Sequence, residues 1–197
     1  MIRFISKNNF YFFTNFIDEH VKKNLLKFIG INIICKDLNN KLDLKSLLEI
    51  KKFCKINKIK FYIADNYKLA VKLKSDGLFI SSWNKKNYLK YKPEFKFIGS
   101  VHNQLDVYYK KKQNCDIITI SPLFYNSKYS KYDILKPLKF NLLSNICNIK
   151  LIALGGINEK TIKKVLLTKS VGVGFFSWIF NTQIKKPVHF VNVRALN

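Results

Sequence analysis

The chain has 197 residues and is 48% hydrophobic, enough to fill one core and too apolar for a disordered segment. Its formal charge of +24 comes almost wholly from lysine, since only Arg3 and Arg194 are arginines, and the lysines are scattered through every segment. That pattern argues against a nucleic-acid binder, which would cluster Lys and Arg with aromatics between, and for solubility and attraction to anionic ligands. The four cysteines (Cys35, Cys54, Cys115 and Cys147) lack the short spacing of a redox or zinc motif and read as core thiols in a reducing compartment.

From the N-terminus onward, short apolar runs alternate with stretches of helical period. The opening MIRFISKNNFYFFTNF is interrupted by Lys7, Asn8 and Asn9 and has no small-residue cleavage site after it, so a secretory signal is not expected. The first strand is expected at 10–16 and the second, INIICKD, at 31–37. A helix follows over 43–57, where Leu44, Leu47, Leu48, Phe53 and Cys54 recur at roughly helical spacing with lysines opposite. Further strands are expected at 60–65, 77–82, 95–101 and 116–123, with short helices after the third and fourth. The seventh strand, 150–156, leads into a helical pattern over 159–169 marked by Ile162, Val165 and Leu166. The eighth is 172–179. Each run is rich in β-branched and aromatic residues and nearly continuous in hydrophobicity, as strands buried on both faces are.

Eight strand–helix units imply parallel crossovers and predict an α/β fold: a compact (β/α)8 TIM barrel with a closed parallel sheet, residues 1–197 forming one domain. An open sheet with one strand misread is the competing architecture. In a barrel, chemistry sits where strands end and helices begin. Those positions hold Asn15, Lys36, Asp65, Ser82, His102, Pro122 with Asn126, Gly155 with Gly156, and Ser177. The last two loops are the fold's usual phosphate site. Here they read LGGIN and VGFFSW, so the bare glycine turn is expected to hold a phosphate together with the amides around Phe176 and Ser177. Asn158 is expected to cap the helix that follows, with Glu159 in its first turn.

Three segments then carry a resemblance that runs from about Phe10 to Phe180: FYIADNYKLAVKLKSDGLFIS, IGSVHNQLDVYYKKKQNCDIITISPLF and LIALGGINEKTIKKVLLTKSVGVGFFSWIF. In order and in register, they resemble the thiamine phosphate synthase/TenI superfamily. The resemblance implies a thiamine-biosynthesis enzyme that holds the monophosphate of thiazole phosphate at Gly155, Gly156 and Ser177. The family's synthases join a pyrimidine diphosphate to that substrate with Mg²⁺ and loss of pyrophosphate. Its tautomerase relatives shift a proton on the thiazole phosphate precursor and need no pyrophosphate site.

The departures from the synthase pattern fall at the diphosphate side. The family's Gln-x-Arg-x-Lys aligns with Ile34, Lys36 and Leu38, its Asn-Asp pair with Ala64 and Asp65, and its second metal carboxylate with Asn84. Lys36 keeps a charge without the bidentate fork of arginine. Asp65 is the remaining metal-ligand candidate, or else the cap of the helix that starts at Tyr67. His102 aligns with the proton-moving histidine of the tautomerases, and imidazole suits that work because it titrates near neutrality. The reading therefore leans to proton transfer by His102, with Lys36 as second catalytic candidate and Ser100, Asn126 and Lys128 as substrate contacts. In that case no cofactor is needed. The alternatives are a diverged synthase using Lys36, Asp65, Lys128 and Mg²⁺, and a binder that has lost catalysis. The expected partner is a small phosphorylated molecule, not nucleic acid or a membrane, in a cytoplasmic protein free to form a homo-oligomer. His20 and His189 read as bland, and Trp83 and Trp178 as rim or core packing.

Overall fold

The computed structural model describes residues 10–36, 43–93, 95–126, 130, 133–180 and 188. Its strands are β1 (Phe10–Thr14), β2 (Ile31–Cys35), β3 (Lys60–Ala64), β4 (Gly77–Ile80), β5 (Lys96–Val101), β6 (Ile117–Ile120), β7 (Lys150–Leu154) and β8 (Gly172–Phe175). All pair in parallel with their chain neighbours, and β8 closes on β1 through Phe10–Val173, Tyr11–Gly174 and Phe12–Phe175. The sheet is thus a closed barrel, and the open-sheet alternative falls away. Between the strands lie α1 (Glu19–Leu25), α2 (Leu44–Ile56), α3 (Tyr67–Lys72), α4 (Gln104–Lys112), α5 (Lys136–Cys147) and α6 (Ile162–Val165). After β4 the described chain makes only a 3₁₀ turn at Leu89–Tyr91.

Strand side chains alternate in direction, which splits the apolar residues into two cores. Tyr11, Phe13, Ile34, Tyr62, Phe79, Ile98, Ile117, Ile152 and Leu154 fill the barrel interior. The larger cluster, including Phe12, Ile33, Ile63, Phe97, Ile118 and Val173, lies under the helices. Strand runs that must satisfy both cores have no polar face to show, hence their nearly continuous hydrophobicity. All four cysteines are free and buried, and burial pushes the Cys54 and Cys115 thiols up to about 12. No helix among the described residues is long and apolar enough to cross a membrane.

Three local expectations change. On α2 the buried face is Leu47, Ile50, Phe53 and Cys54, while Leu44 and Leu48 are exposed, because the i, i+3, i+7 stripe is the one that meets the sheet. The expected helix over 159–169 shrinks to the four residues of α6. Asn158 Oδ1 accepts from the Lys160 and Thr161 amides in a tight turn, and Leu166, Leu167 and Thr168 bond back three residues rather than four. Finally, α3 is capped by Asn66, whose Oδ1 accepts from the Leu69 amide at 3.0 Å, so Asp65 is not the cap.

Candidate active site

The parallel register sets Leu154 beside Gly174, so the chain leaves β7 and β8 side by side at the C-terminal mouth. Gly155 and Gly156 turn there with φ of +92° and +67°. The loop after β6 lies directly against this turn: the Leu123 amide donates to Leu154 O (2.8 Å) and the Phe124 amide to Gly155 O (3.0 Å). A Cβ on Gly156 would stand 2.4 Å from Phe124 O, so only glycine fits. Thr161 Oγ1 takes Gly156 O at 2.9 Å. The carbonyls of the turn are therefore spoken for. By contrast, the amides of Gly155, Gly156, Phe176 and Ser177 donate to no other described residue.

The β8 side of this corner is firmly held. Trp178 is buried, edge-on to Phe28 and Phe175 at 5.1 and 5.3 Å. From α1, the buried Asn24 donates through Nδ2 to Ile179 O at 3.2 Å. Phe176 is half-buried and stacks on Phe13 at 4.8 Å, and Ser177 is exposed. Backbone N–H groups without an internal acceptor are the kind of donor that anion-binding nests use. The first turn of the helix expected from Asn158 does not adjoin this corner, because α6 begins only at Ile162.

At the ends of β5 and β6, Ser100 is buried on the same strand face as Ile98, two residues on. His102 is exposed, and its Nδ1 lies 3.1 Å from Ser121 O. A carbonyl only accepts, so that contact is made with a proton on Nδ1; Ser121 Oγ lies 3.4 Å from the same nitrogen. The His102 amide donates to Asp106 Oδ2 at 3.0 Å, and Lys85 pairs with Oδ1 of the same carboxylate at 2.8 Å. Burial pushes the Asp106 carboxyl up, but the Lys85 ammonium and the His102 amide overcome this and hold it below its ordinary value.

Asp65, at φ +57°, sits across the mouth at the end of β3. Its Oδ1 accepts from the Ser81 amide (2.9 Å) and from Asn84 Nδ2 (2.8 Å), and its Oδ2 from Ser81 Oγ (2.5 Å). Asn84 Oδ1 accepts from the Lys86 amide at 3.1 Å, which fixes the amide with its NH₂ toward Asp65. Behind it, the fully buried Lys110 donates to Ser81 O, Asn84 O and Gln113 Oε1 at 2.8, 2.9 and 2.8 Å. Burial lowers the Lys110 pKa to about 8. Mg²⁺ requires oxygen donors, usually one or two carboxylates with substrate phosphates. One carboxylate already serving three donors, faced by an amide N–H, does not fit a two-ligand Mg²⁺ site. No group of three His, Cys, Asp or Glu residues that could hold a metal occurs among the described residues.

Of the other expected positions, Ile34 is buried in the barrel interior and Lys36 is half-buried, its Nζ 5.7 Å over the Phe79 ring. Asn126 is half-buried on the loop after β6. Lys128 and Leu38 lie outside the described residues, as does His189. Asn24, Asp106, Lys110 and Gln113 were not legible as site residues; Asn103-x-x-Asp106, a cap followed by a first-turn acid, is the one local signal among them.

A family model described as thiamine monophosphate synthase matches residues 29–179. A thiamine-phosphate synthase of Prochlorococcus marinus is 29% identical over 98% of this chain, and one of Staphylococcus haemolyticus 27% identical over 67%. The chain spans 57% and 64% of the lengths of those two relatives. A solved thiamine phosphate pyrophosphorylase from Pyrococcus furiosus shares the fold with a TM-score of 0.69 at 17% identity, covering 96% of this chain and 91% of its own.

Proposed function

The chain belongs to the thiamine monophosphate synthase/TenI family, an enzyme family of thiamine biosynthesis, and from that premise we propose that its barrel binds thiazole phosphate and joins it to a pyrimidine diphosphate. The observation that carries the substrate reading is the β7–β8 corner, where four amides donate to no other described residue. A monoester dianion accepting them makes charge-assisted hydrogen bonds, each stronger than an amide–amide bond by roughly a factor of two. In this reading Gly155, Gly156, Phe176 and Ser177 hold the phosphate. The half-buried Phe176 ring, stacked on Phe13, offers an apolar face beside it for the thiazole. Lys36 meets the incoming diphosphate, and Ser100, Asn126 and Lys128 contact the substrates. The synthase reaction is favoured over proton transfer because the relatives that match across most of the chain are synthases.

A second reading, tautomerisation of thiazole phosphate by His102, draws support from the Nδ1 contact with Ser121 O. An imidazole held at a strand end by this contact can accept a proton and return it. One assay separates the two. The protein is incubated with thiazole phosphate, hydroxymethylpyrimidine diphosphate and Mg²⁺. Thiamine phosphate formation is the expected result. If only the thiazole tautomers equilibrate, and His102→Ala stops them, the proton-transfer reading replaces it. If thiazole phosphate binds without either reaction, the protein is a binder, and if it does not bind at all both readings fail.

A further inference from the structure

We propose that the Asp65 corner of the mouth is a closed carboxylate–amide clamp that holds no resident divalent cation. Its positive charge comes instead from the protein, through Lys110. The orientation of Asn84 is the first argument. Its Oδ1 is committed to the Lys86 amide, so the group turned toward Asp65 and Tyr88 is the NH₂, with contacts of 2.8 and 3.1 Å. A cation bound to Asp65 would meet N–H groups where it needs an oxygen. Rotating the amide would leave the Lys86 N–H without its acceptor and set two oxygens against each other.

The second argument is the backbone. A hard cation that lacks side-chain oxygens can use carbonyls. Here the Ser81 and Asn84 carbonyls are both taken by the Lys110 ammonium, and Asn84 O also accepts from Gln113 Nε2 at 3.0 Å. Gln113 Nε2 reaches Lys86 O as well, at 2.7 Å. An ammonium with three oxygen acceptors and no exposure is a fixed internal cation. The loop carrying Asn84 therefore cannot reshape around a metal without stripping Lys110 of its acceptors. The proposal rests on the functional reading above: in a synthase turnover, Mg²⁺ would arrive on the diphosphate and stay with its oxygens, and Asp65 would organise the loop.

The test uses Mn²⁺ as the probe, read by loss of the free-ion electron paramagnetic resonance signal in the absence of substrate, on wild type, Asp65→Asn and Asn84→Asp. Wild type is expected to leave the signal unchanged, and Asn84→Asp to reduce it, since a second carboxylate then completes a site. A variant that folds only when Mn²⁺ is present counts as that gain; if Asn84→Asp never folds, wild type and Asp65→Asn decide. Signal loss with wild type that Asp65→Asn abolishes overturns the proposal. So does a folded Asn84→Asp that binds nothing, because the amide would then not be what separates this corner from a cation site. Signal loss that Asp65→Asn leaves intact places the ion elsewhere and upholds the clamp. Thiazole phosphate binding is measured separately by calorimetry in EDTA, so its failure would sink the functional reading without touching the Mn²⁺ result.

Discussion

Two corners of one barrel mouth differ in how their polar groups are satisfied. At the Asp65 corner a carboxylate, a hydroxyl, an amide side chain and a buried ammonium satisfy one another. At the β7–β8 corner the carbonyls are bonded, while the amides donate to no other described residue. Gly155, Gly156 and Phe176 are half-buried and Ser177 is exposed, so these amides are open to an incoming acceptor, water or an oxyanion. The comparison teaches that charge alone is a poor guide to a site. The acidic corner looks functional in sequence and is self-contained in structure, whereas the glycine turn has amides that donate to no other described residue.

The sharpest way to break the contrast is to close the open corner. Gly156→Ala drives a methyl into Phe124 O and imposes a positive φ on alanine. It is expected to cost about 2–4 kcal/mol by denaturant titration and to lower thiazole phosphate affinity by at least ~100-fold in calorimetry.

The next largest effect comes from opening the closed corner. Lys110→Met leaves Gln113 Oε1 without its donor and takes one of two donors from each of Ser81 O and Asn84 O, at an expected cost of about 1–3 kcal/mol, while phosphate affinity stays within about threefold. The pH dependence has a definite sign. Lys110 titrates near 8 when folded and near its ordinary 10.5 when unfolded, so between those values the unfolded chain binds more protons. Its contribution to stability therefore rises with pH across that window, and the wild-type stability measured against Lys110→Met should rise with it. A flat difference would mean that Lys110 is solvated.

A smaller loss is expected from Asn24→Ala, which frees Ile179 O from α1 and loosens the loop that presents the Phe176 and Ser177 amides. The expectation is about 1 kcal/mol of stability and a several-fold rise in Kd for thiazole phosphate. Smallest of all is Ser177→Ala. The account uses the amide of this residue and not its hydroxyl, so affinity should stay within about twofold; a larger loss by the same calorimetry would assign the hydroxyl a contact.

Much of the fold was legible because burial on both faces leaves its mark residue by residue. Runs such as FYFF in β1 and IITI in β6 are buried at every position, and eight of them in order give the barrel. The glycine turn was legible too, since two adjacent glycines at a strand end signal a close approach. What escaped depends on long-range packing. Lys110 looks like any of the chain's many lysines, and it is buried only because three acceptors from the β4 loop and α4 converge on it. Asn24 is an ordinary helix residue until β8 closes the barrel and brings Ile179 within reach. The length of α6 was overestimated because the apolar spacing of Ile162, Val165 and Leu166 also suits the tighter three-residue turns that end it.

The central claim is that backbone amides at the β7–β8 mouth take a phosphate monoester. Amide proton shifts followed by NMR during titration with thiazole phosphate address it directly. The account predicts that the Gly155, Gly156, Phe176 and Ser177 amides move downfield together and saturate with one Kd. If those four stay still while the Ser81, Asn84 and Asp65 amides shift, the phosphate sits at the other corner and the account is wrong.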